Sequence, residues 1–415
     1  YNRTDGHRRD MAFEQMGGVL KLSYDISSAW NIIGDLNVTH FNAANPGPVN
    51  APRIDNDSHI TRGMSAIAIQ NRYKKSWGAI NAFFNWGRHR INDGYVQGGK
   101  PLDYRFNSKD LMAGISFYQN ATFFTGNLIT VGFDYQRFGG KAWNHFLNTD
   151  TDQPLVDKTI DDLAGYIDFR QDIGKTITLD AGVRFDHNSH TGNEWIPQGG
   201  LTLHLPRRTE LKAVVSKGFR NPTIREMYMF PPQNPNLQPE KVINYEIAFS
   251  QKFPQQGVSY GVNVFYLHGN NLIQTMRVSN GMLNVNTGEI DNFGIEAEIN
   301  WQITDSWKIS AQYSWLHMER PILASPEHKV STTVYYSKGR WTASTDLQYV
   351  HGLYTSLDSH AREKFLLWNA RVNYRIYRFL RIFAKGENLL AQRYEINQGF
   401  PMPKATCMGG IDIQF

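Results

Sequence analysis

A strict alternation of apolar and polar side chains is the feature that most constrains how this chain folds. In FGIEAEINWQI, residues 293–303, every odd-numbered position from Phe293 to Ile303 is apolar, and Glu296 and Glu298 stand between them. A period of two residues is typical of a β-strand with two unlike faces. Four further segments alternate in the same way: VSYGVNVFY (258–266), WKISAQYSW (307–315), WTASTDLQY (341–349) and LLWNARVNYRI (366–376).

The connections between these strands alternate in length. Short turns are predicted at 27–29, 74–76, 174–175, 206–208, 254–257, 304–306 and 338–339, and long polar loops at 43–58, 92–106, 139–156 and 223–240. An up-and-down sheet with alternating short and long connections has all its tight turns at one end, as outer-membrane barrels do. The predicted strands, at about ten to fifteen residues, are longer than the five or six that are usual in soluble proteins.

Tryptophan placement favours a membrane barrel over a soluble sandwich or propeller, which is the alternative for such a pattern. Trp30, Trp77, Trp307 and Trp341 each follow a short turn, as an aromatic girdle at one membrane interface requires. The sequence therefore predicts an all-β, transmembrane, up-and-down antiparallel β-barrel. In it Ile295, Ile299 and Trp301 face lipid, whereas the carboxylates between them face water.

Composition and motifs exclude several classes of function. The net charge of +5 over 415 residues is mild, and no basic cluster or nucleic-acid motif accompanies it. The single cysteine, Cys407, forms neither an intramolecular disulfide nor a cysteine-based metal site, and its role stays open. No nucleophile elbow, zinc motif or phosphate loop points to an enzyme. No cofactor is expected, and no metal ligand is assigned.

Two segments, 217–249 and 386–415, carry recognisable motifs. In the first, a strand ending in Gly-Phe-Arg is followed by a proline-rich loop and Asn-Pro-Asn-Leu-Gln-Pro-Glu; in the second, an Asn-Leu pair and a tyrosine precede the last strand. Both segments resemble the TonB-dependent outer-membrane receptors, especially those for cobalamin, colicin I, haem and ferric siderophores. The motif residues are Phe219, Arg220, Asn234, Pro235, Asn236, Leu237, Pro239, Glu240, Asn388, Leu389, Tyr394 and Phe415. The stretch RTDGHRRDMAFEQ is similar to receptors of the Bacteroidetes type.

The resemblance implies a receptor in the outer membrane of a Gram-negative bacterium, surrounded by lipid and lipopolysaccharide. It implies energised uptake of a scarce metal chelate, driven by the TonB–ExbB–ExbD complex acting on a plug domain. Residues 1–415 are expected to be the C-terminal part of the barrel, about 19 of about 22 strands. The plug and about three strands are expected outside the given sequence. A passive porin and a receptor for copper or another non-chelate nutrient remain alternatives, and a surface lipoprotein partner is left open.

The candidate substrate contacts lie in the predicted external loops. They are Arg225, Met227, Tyr228, Met229, Phe230, His360 and Met402. Arginine suits a charged chelate, and methionine or aromatic side chains suit an apolar or macrocyclic face. The alternative is that these residues pack the loop, which for the methionines is the favoured interpretation. The proline motif is interpreted first as architecture. Haem receptors of this type have a histidine between the two parts of the first motif, and TIREMYMFPPQ has none, so haem ranks below siderophore or cobalamin.

Overall fold

The computed structural model describes residues 1–414; Phe415, the last residue of the second motif, lies outside them. The described chain forms one antiparallel sheet of 20 strands. The nineteen strands from β2 onward agree with the number predicted from the sequence. The strands are β1 (Asn2–Thr4), β2 (Phe13–Ser27), β3 (Trp30–Ala44), β4 (Arg53–Arg72), β5 (Ser76–Val96), β6 (Tyr104–Ala121), β7 (Asn127–Phe146), β8 (Thr151–Ile173), β9 (Ile177–Asn188), β10 (Gly192–Leu205), β11 (Thr209–Arg220), β12 (Glu240–Phe253), β13 (Val258–Val278), β14 (Gly281–Gln302), β15 (Trp307–Met318), β16 (His328–Lys338), β17 (Trp341–Tyr354), β18 (Arg362–Arg375), β19 (Leu380–Glu387) and β20 (Thr406–Ile413).

Helical structure is confined to two short turns, a 3₁₀ turn at Pro206–Arg208 and a π-helical turn at Arg225–Met229. Within residues 1–414, no helix is long and apolar enough to cross a membrane. The chain divides into two compact units. The first comprises Tyr1–Gly200, Ser216–Ile243 and Gly269–Glu289; the second comprises Leu201–Val215, Asn244–His268 and the chain from Ile290 on.

In the first unit, successive strands pair in register so that apolar side chains collect on one face. Leu36 on β3 lies opposite Leu20 on β2 and Ser65 on β4, and Ser65 in turn lies opposite Phe84 on β5. Leu20, Leu36 and Phe84 are all exposed. An exposed apolar face of this extent is unstable in water and is what a lipid-facing surface requires.

The second unit shows the same division of faces on β14, in residues 293–303. Ile299 and Trp301 are each 43% exposed on one face of β14. Glu296 and Glu298 are also exposed, and by alternation they point to the opposite face. The predicted division of faces is therefore confirmed for this strand.

Aromatic residues mark the turn ends of the strands, as predicted. Trp30, Trp307 and Trp341 are the first residues of β3, β15 and β17, and Trp77 is the second residue of β5. Each of the first three contacts a tyrosine. The indole N–H of Trp30 donates to the Tyr73 hydroxyl at 2.7 Å, and the rings of Trp307–Tyr336 and Trp341–Tyr374 lie 4.7 and 4.6 Å apart.

The strands extend further into the predicted loops than the sequence indicated. The prediction of a long loop at 139–156 is wrong, because β7 continues to Phe146 and β8 begins at Thr151. Polar side chains occupy both faces of these strand ends, so the apolar–polar alternation that identifies a strand is lost there. Two short turns, 122–126 and 376–379, were also missed. The loop within 223–240 is confirmed: residues 221–239 connect β11 to β12.

Candidate functional site

Arg220, the last residue of β11, joins both ends of the loop 221–239. Its two terminal nitrogens donate to the two carboxylate oxygens of Glu226 at 3.0 Å each, and its Nε donates to Glu240. The other oxygen of Glu240 accepts the backbone N–H of Ile273 at 2.7 Å. A two-pronged arginine–carboxylate pair is among the stronger and more directional polar contacts in proteins. The arginine of the first motif therefore fixes the loop and has no free donor pair for a ligand.

The turn that opens the loop is held by a reciprocal cap. The Thr223 backbone N–H donates to the Glu226 carboxylate at 2.7 Å, and the Glu226 backbone N–H donates to the Thr223 hydroxyl at 3.1 Å. This is the capping-box pattern Thr-x-x-Glu at the start of a helical turn. Burial raises the pKa of Glu226, but the hydrogen bonds from Arg220 and Thr223 outweigh it and leave the pKa below its usual value.

An apolar cluster lies beneath the loop. Met227 and Leu237, from opposite halves of the loop, are each 1% exposed and pack with Ile160 of β8. Partly buried side chains complete the cluster: Phe138, Ile224, Tyr228 and Ile273. Met227 therefore packs the loop against the sheet, as the alternative interpretation of the loop methionines proposed. Leu237 gives the second half of the motif the same architectural role.

Side-chain amides on β14 hold the Asn-Pro-Asn-Leu segment. The Asn234 side chain donates to the Asn284 carbonyl at 2.8 Å, and the Asn284 side chain donates to the Glu226 carbonyl at 2.9 Å. Asn286 accepts the Gln238 backbone N–H at 2.8 Å and donates to the Gln238 carbonyl at 2.9 Å. Buried or half-buried loop backbone needs such partners, since it lacks a neighbouring strand.

The residues that the loop leaves accessible form a small aromatic and cationic surface. Phe230 is 58% exposed, and the Arg225 guanidinium lies 5.4 Å from its ring. Lys158 places its ammonium 5.0 Å from the ring of Tyr228. The other side of Tyr228 contacts His190, whose Nε2 hydrogen-bonds the Pro235 carbonyl at 2.7 Å. Of the predicted residues, Arg225 and Phe230 are thus exposed, and Tyr228 and Met229 are half-buried.

The residues of the second motif make structural contacts within the second unit. Asn388, buried and with a positive φ of 47°, donates to the carbonyls of Gln392 and Pro403 at 2.9 and 3.0 Å. Asparagine is one of the few residues that adopts this left-handed conformation readily. Leu389 packs over Gly386, where any Cβ would lie 2.5 Å from the leucine side chain. Tyr394 packs against Phe365 with ring centroids 4.2 Å apart and the ring planes tilted by 35°.

The remaining predicted contacts are also in the second unit. His360 is exposed in the loop between β17 and β18 and has a φ of 53°. Met402 is half-buried, and its backbone N–H donates to the Tyr394 carbonyl at 2.9 Å. Cys407 is a free, exposed thiol. Among the side chains of residues 1–414, no group of three or more His, Cys, Asp or Glu is arranged to hold a metal ion.

Sequence reasoning missed four residues that shape the loop surface: Lys158, His190, Asn284 and Asn286. Each comes from a strand or turn far from residues 221–239 in the chain, so local spacing carried no signal for it. One signal was present and unused: Thr223-x-x-Glu226 is readable from the sequence as a helical cap.

Long antiparallel strands, an exposed apolar face and tryptophans at the turn ends define an integral protein of the bacterial outer membrane. A family profile described as "TonB dependent receptor-like, beta-barrel" matches residues 5–389. The chain belongs to this family. The prediction drawn from the two motifs is confirmed, whereas the Bacteroidetes-type likeness stays a prediction.

Two curated relatives from Vibrio cholerae are similar over part of the chain. The iron-regulated outer membrane virulence protein is 23% identical over 291 residues, which is 62% of this chain and 43% of the relative. The vitamin B12 transporter BtuB is 26% identical over 251 residues, 57% of this chain and 40% of that protein. This chain thus matches less than half the length of either relative.

Solved structures show the same fold at low sequence identity. The copper transporter OprC superposes with a TM-score of 0.82 at 14% identity, covering 98% of this chain and 72% of OprC. The siderophore receptor PirA from Acinetobacter baumannii gives a TM-score of 0.80 at 13% identity, covering 97% and 71% of the two chains. The fold of the chain is accordingly that of a TonB-dependent receptor barrel.

Proposed function

We propose that the protein takes up a scarce metal chelate across the outer membrane and that the loop 221–239 contacts this chelate. The observation that carries the proposal is the fixed loop itself. Salt bridges, a cap, amide contacts and a buried cluster hold its backbone, while Arg225 and Phe230 stay exposed and Tyr228 is half-buried beside them. A loop that is already ordered loses less entropy when it binds, so affinity is easier to obtain.

The chemistry of the accessible surface suits an anionic chelate with aromatic or apolar groups. Arg225 and Lys158 supply positive charge, and Phe230 and Tyr228 supply flat apolar faces beside it. A catecholate or similar ferric siderophore has both properties. The names of the relatives and structural neighbours, which include siderophore receptors, an iron-regulated protein and a vitamin B12 transporter, support this class of substrate.

Haem and copper fit the loop less well. His190 lies beside Tyr228, but its Nε2 is engaged by the Pro235 carbonyl, so it is poorly placed to be an axial haem ligand. Copper uptake would call for accessible thioether sulfurs. Met227 is buried in the cluster and Met229 is half-buried, so the loop itself offers little sulfur to a soft ion, although Met276 and Met282 on β13 and β14 are exposed.

The proposal includes the partners that the family implies. We infer that TonB with ExbB and ExbD energises uptake through a plug domain, and that the protein acts as a transporter and not as an enzyme. A porin would instead let small solutes diffuse through its channel without TonB. The two possibilities separate in a transport assay, because only the receptor requires the proton-motive force of the inner membrane.

The test uses the full-length receptor in a host that lacks its own receptors for the panel compounds. Uptake of radiolabelled ferric siderophores, cobalamin, haem and copper is measured in parallel strains with and without TonB. We expect saturable uptake of one ferric siderophore or of cobalamin, and loss of that uptake without TonB. Uptake that persists without TonB, or general permeability to small solutes, would falsify the proposal in favour of a porin.

A further inference from the structure

Three cations stand side by side on the apolar face of the first unit. Arg88 on β5 lies directly opposite Lys109 on β6, and Lys109 lies directly opposite Lys141 on β7. All three side chains are exposed. They share their face with Phe84 and Leu111, because residues at even spacing along a strand point the same way. We refer to Arg88, Lys109 and Lys141 as the cationic row.

The three charges of the cationic row repel one another across the sheet. Side chains directly opposite each other on paired strands have Cβ atoms about 4.5–5.5 Å apart, and like charges there are destabilising. Among residues 1–414, none of the three forms an ion pair within 4.0 Å. Asp157 on β8 lies opposite Lys141 in the register without reaching that distance. Lys109 instead lies 5.8 Å from the ring of Trp143.

The opposite face of the same strands provides a contrast. There Arg62 donates to Asp110 at 3.0 Å and contacts His89 at 3.1 Å, so its charge is compensated within the protein. Within residues 1–414, Arg88, Lys109 and Lys141 therefore differ from Arg62 in forming no ion pair within 4.0 Å, although Asp157 lies opposite Lys141 on their face. Three neighbouring cations that lack close ion pairs are stabilised when an external anion binds them.

The height of the cationic row along the membrane normal indicates which anion can bind it. The pairing register places Trp30, Asn71 and Gly78 on one level and His40, Thr61 and Arg88 on another, ten residues further along each strand. Ten residues at about 3.4 Å each, tilted by about 40°, span about 26 Å along the membrane normal. The apolar band of outer-membrane barrels is about 25 Å tall. With the Trp30 level at one interface, the cationic row lies at the other.

We propose that the cationic row, with Arg90 two residues beyond Arg88, binds the phosphate groups of lipid A in the outer leaflet. The exposed leucine and phenylalanine side chains below the row contact the acyl chains, and Trp143 beside Lys109 contacts the sugar region. The loop ends of the strands lie beyond this level, which is the external side in this family. The inference rests on outer-membrane location and is independent of the transported substrate.

The experiment is native mass spectrometry of the full-length receptor extracted from outer membranes in mild detergent. We expect the native protein to retain lipid A adducts, and Arg88→Gln/Lys109→Gln/Lys141→Gln to retain at least about tenfold fewer, since each cation near an anionic surface adds to affinity. Lys74→Gln/Lys75→Gln/Lys175→Gln removes the same charge from the short turns of the same unit and should behave as the native protein. The proposal is overturned if Arg88→Gln/Lys109→Gln/Lys141→Gln retains as many lipid A adducts as the native protein.

Two further measurements distinguish lipid A from other sources of phosphate. Purified lipid A added back should bind the native protein, whereas enzymatically dephosphorylated lipid A should not; equal binding of both excludes phosphate recognition. Excess inorganic phosphate should leave the adducts in place, and complete displacement would show a simple anion patch. Heat-modifiable migration confirms folding, and Lys109→Gln alone, at the centre of the row, should lower adduct abundance if the triple variant does not fold.

Discussion

Asn286 holds Gln238 as a neighbouring strand would, accepting its backbone N–H at 2.8 Å and donating to its carbonyl at 2.9 Å. The same Asn286 amide also donates to the Asn271 carbonyl at 2.7 Å. A single side chain on β14 thereby replaces the ladder partner that the Asn-Pro-Asn-Leu segment lacks. The rigidity of the loop 221–239 depends on a few such side chains, among them Asn286 and Glu226.

Asn286→Ala should free the Gln238 backbone. Three hydrogen bonds to backbone groups are lost, two to exposed Gln238 and one to Asn271. We therefore expect a decrease of about 1–3 kcal/mol in the free energy of unfolding. Amide exchange at residues 236–238 should become faster, as measured by hydrogen–deuterium exchange in detergent micelles. Asn280→Ala, in the exposed β13–β14 turn, is the matched control. Exchange unchanged in Asn286→Ala would show that the loop is held by its other contacts.

Glu226→Gln should make loop stability less dependent on pH. The folded pKa of Glu226 lies below its ordinary value of 4.5, so its ion pair with Arg220 stabilises the fold above that value. This stabilisation disappears as the pH falls through the folded pKa. We expect Glu226→Gln to be less stable than the native protein by about 1–3 kcal/mol at neutral pH.

The difference between the native protein and Glu226→Gln should shrink below pH 4.5, where the native carboxylate also becomes protonated. Urea unfolding followed by tryptophan fluorescence at several pH values measures it. Glu289→Gln, which changes an exposed carboxylate of the same unit, controls for the loss of a negative charge. A difference that stays constant with pH would contradict the assigned role of the ion pair.

Arginine substitutions along β14 should show the depth of the lipid face. Ile299 lies only a few residues from the turn after Gln302, whereas Ile295 lies nearer the middle of the strand's membrane segment. We therefore expect Ile295→Arg to cost about 2–4 kcal/mol and Ile299→Arg less, with Glu298→Arg nearly neutral because it faces water. Refolding titrations into lipid vesicles measure all three. Equal costs for Ile295→Arg and Glu298→Arg would contradict the assignment of one face of β14 to lipid and the other to water.

The sequence predicted the strands because lipid on one face and water on the other impose the alternation seen from Phe293 to Ile303. Where polar side chains occupy both faces, as at Gly139–Phe146, the alternation is lost and the sequence predicts a loop in place of a strand. The role of Arg220 was not predictable from its motif alone. Its partners Glu226 and Glu240 are selected by how the loop returns to the sheet, and long-range contacts of this kind leave no period in the sequence.

The candidate site shows the same limit at Met227 and Phe230. The two residues are three positions apart in a run of large side chains. Their spacing predicts both of them equally well as ligand contacts. In the structure one is 1% exposed and the other 58%. Burial depends on Ile160 and Leu237, which are distant in sequence, so only the folded loop distinguishes packing residues from contact residues.

The last prediction separates these two roles by experiment. Met227→Ala should lower the free energy of unfolding by about 2–5 kcal/mol, as expected when a buried methionine leaves a cavity. Arg225→Ala/Phe230→Ala should leave stability within about 0.5 kcal/mol, since both side chains are exposed. It should weaken binding of the transported chelate by about 30- to 1,000-fold, because two anchors that contribute on the order of 1–2 kcal/mol each are removed together.

The measurements are urea unfolding and equilibrium binding of a ferric siderophore panel, cobalamin and haem to the full-length receptor. Lys75→Ala/Phe123→Ala removes the same kinds of side chain at the short turns and should change neither stability nor affinity. Tyr228→Phe, which keeps the ring against the buried cluster and removes only the hydroxyl, tests whether that group bonds the ligand. Unchanged affinity in Arg225→Ala/Phe230→Ala would make the whole loop a scaffold and place substrate recognition elsewhere in the receptor.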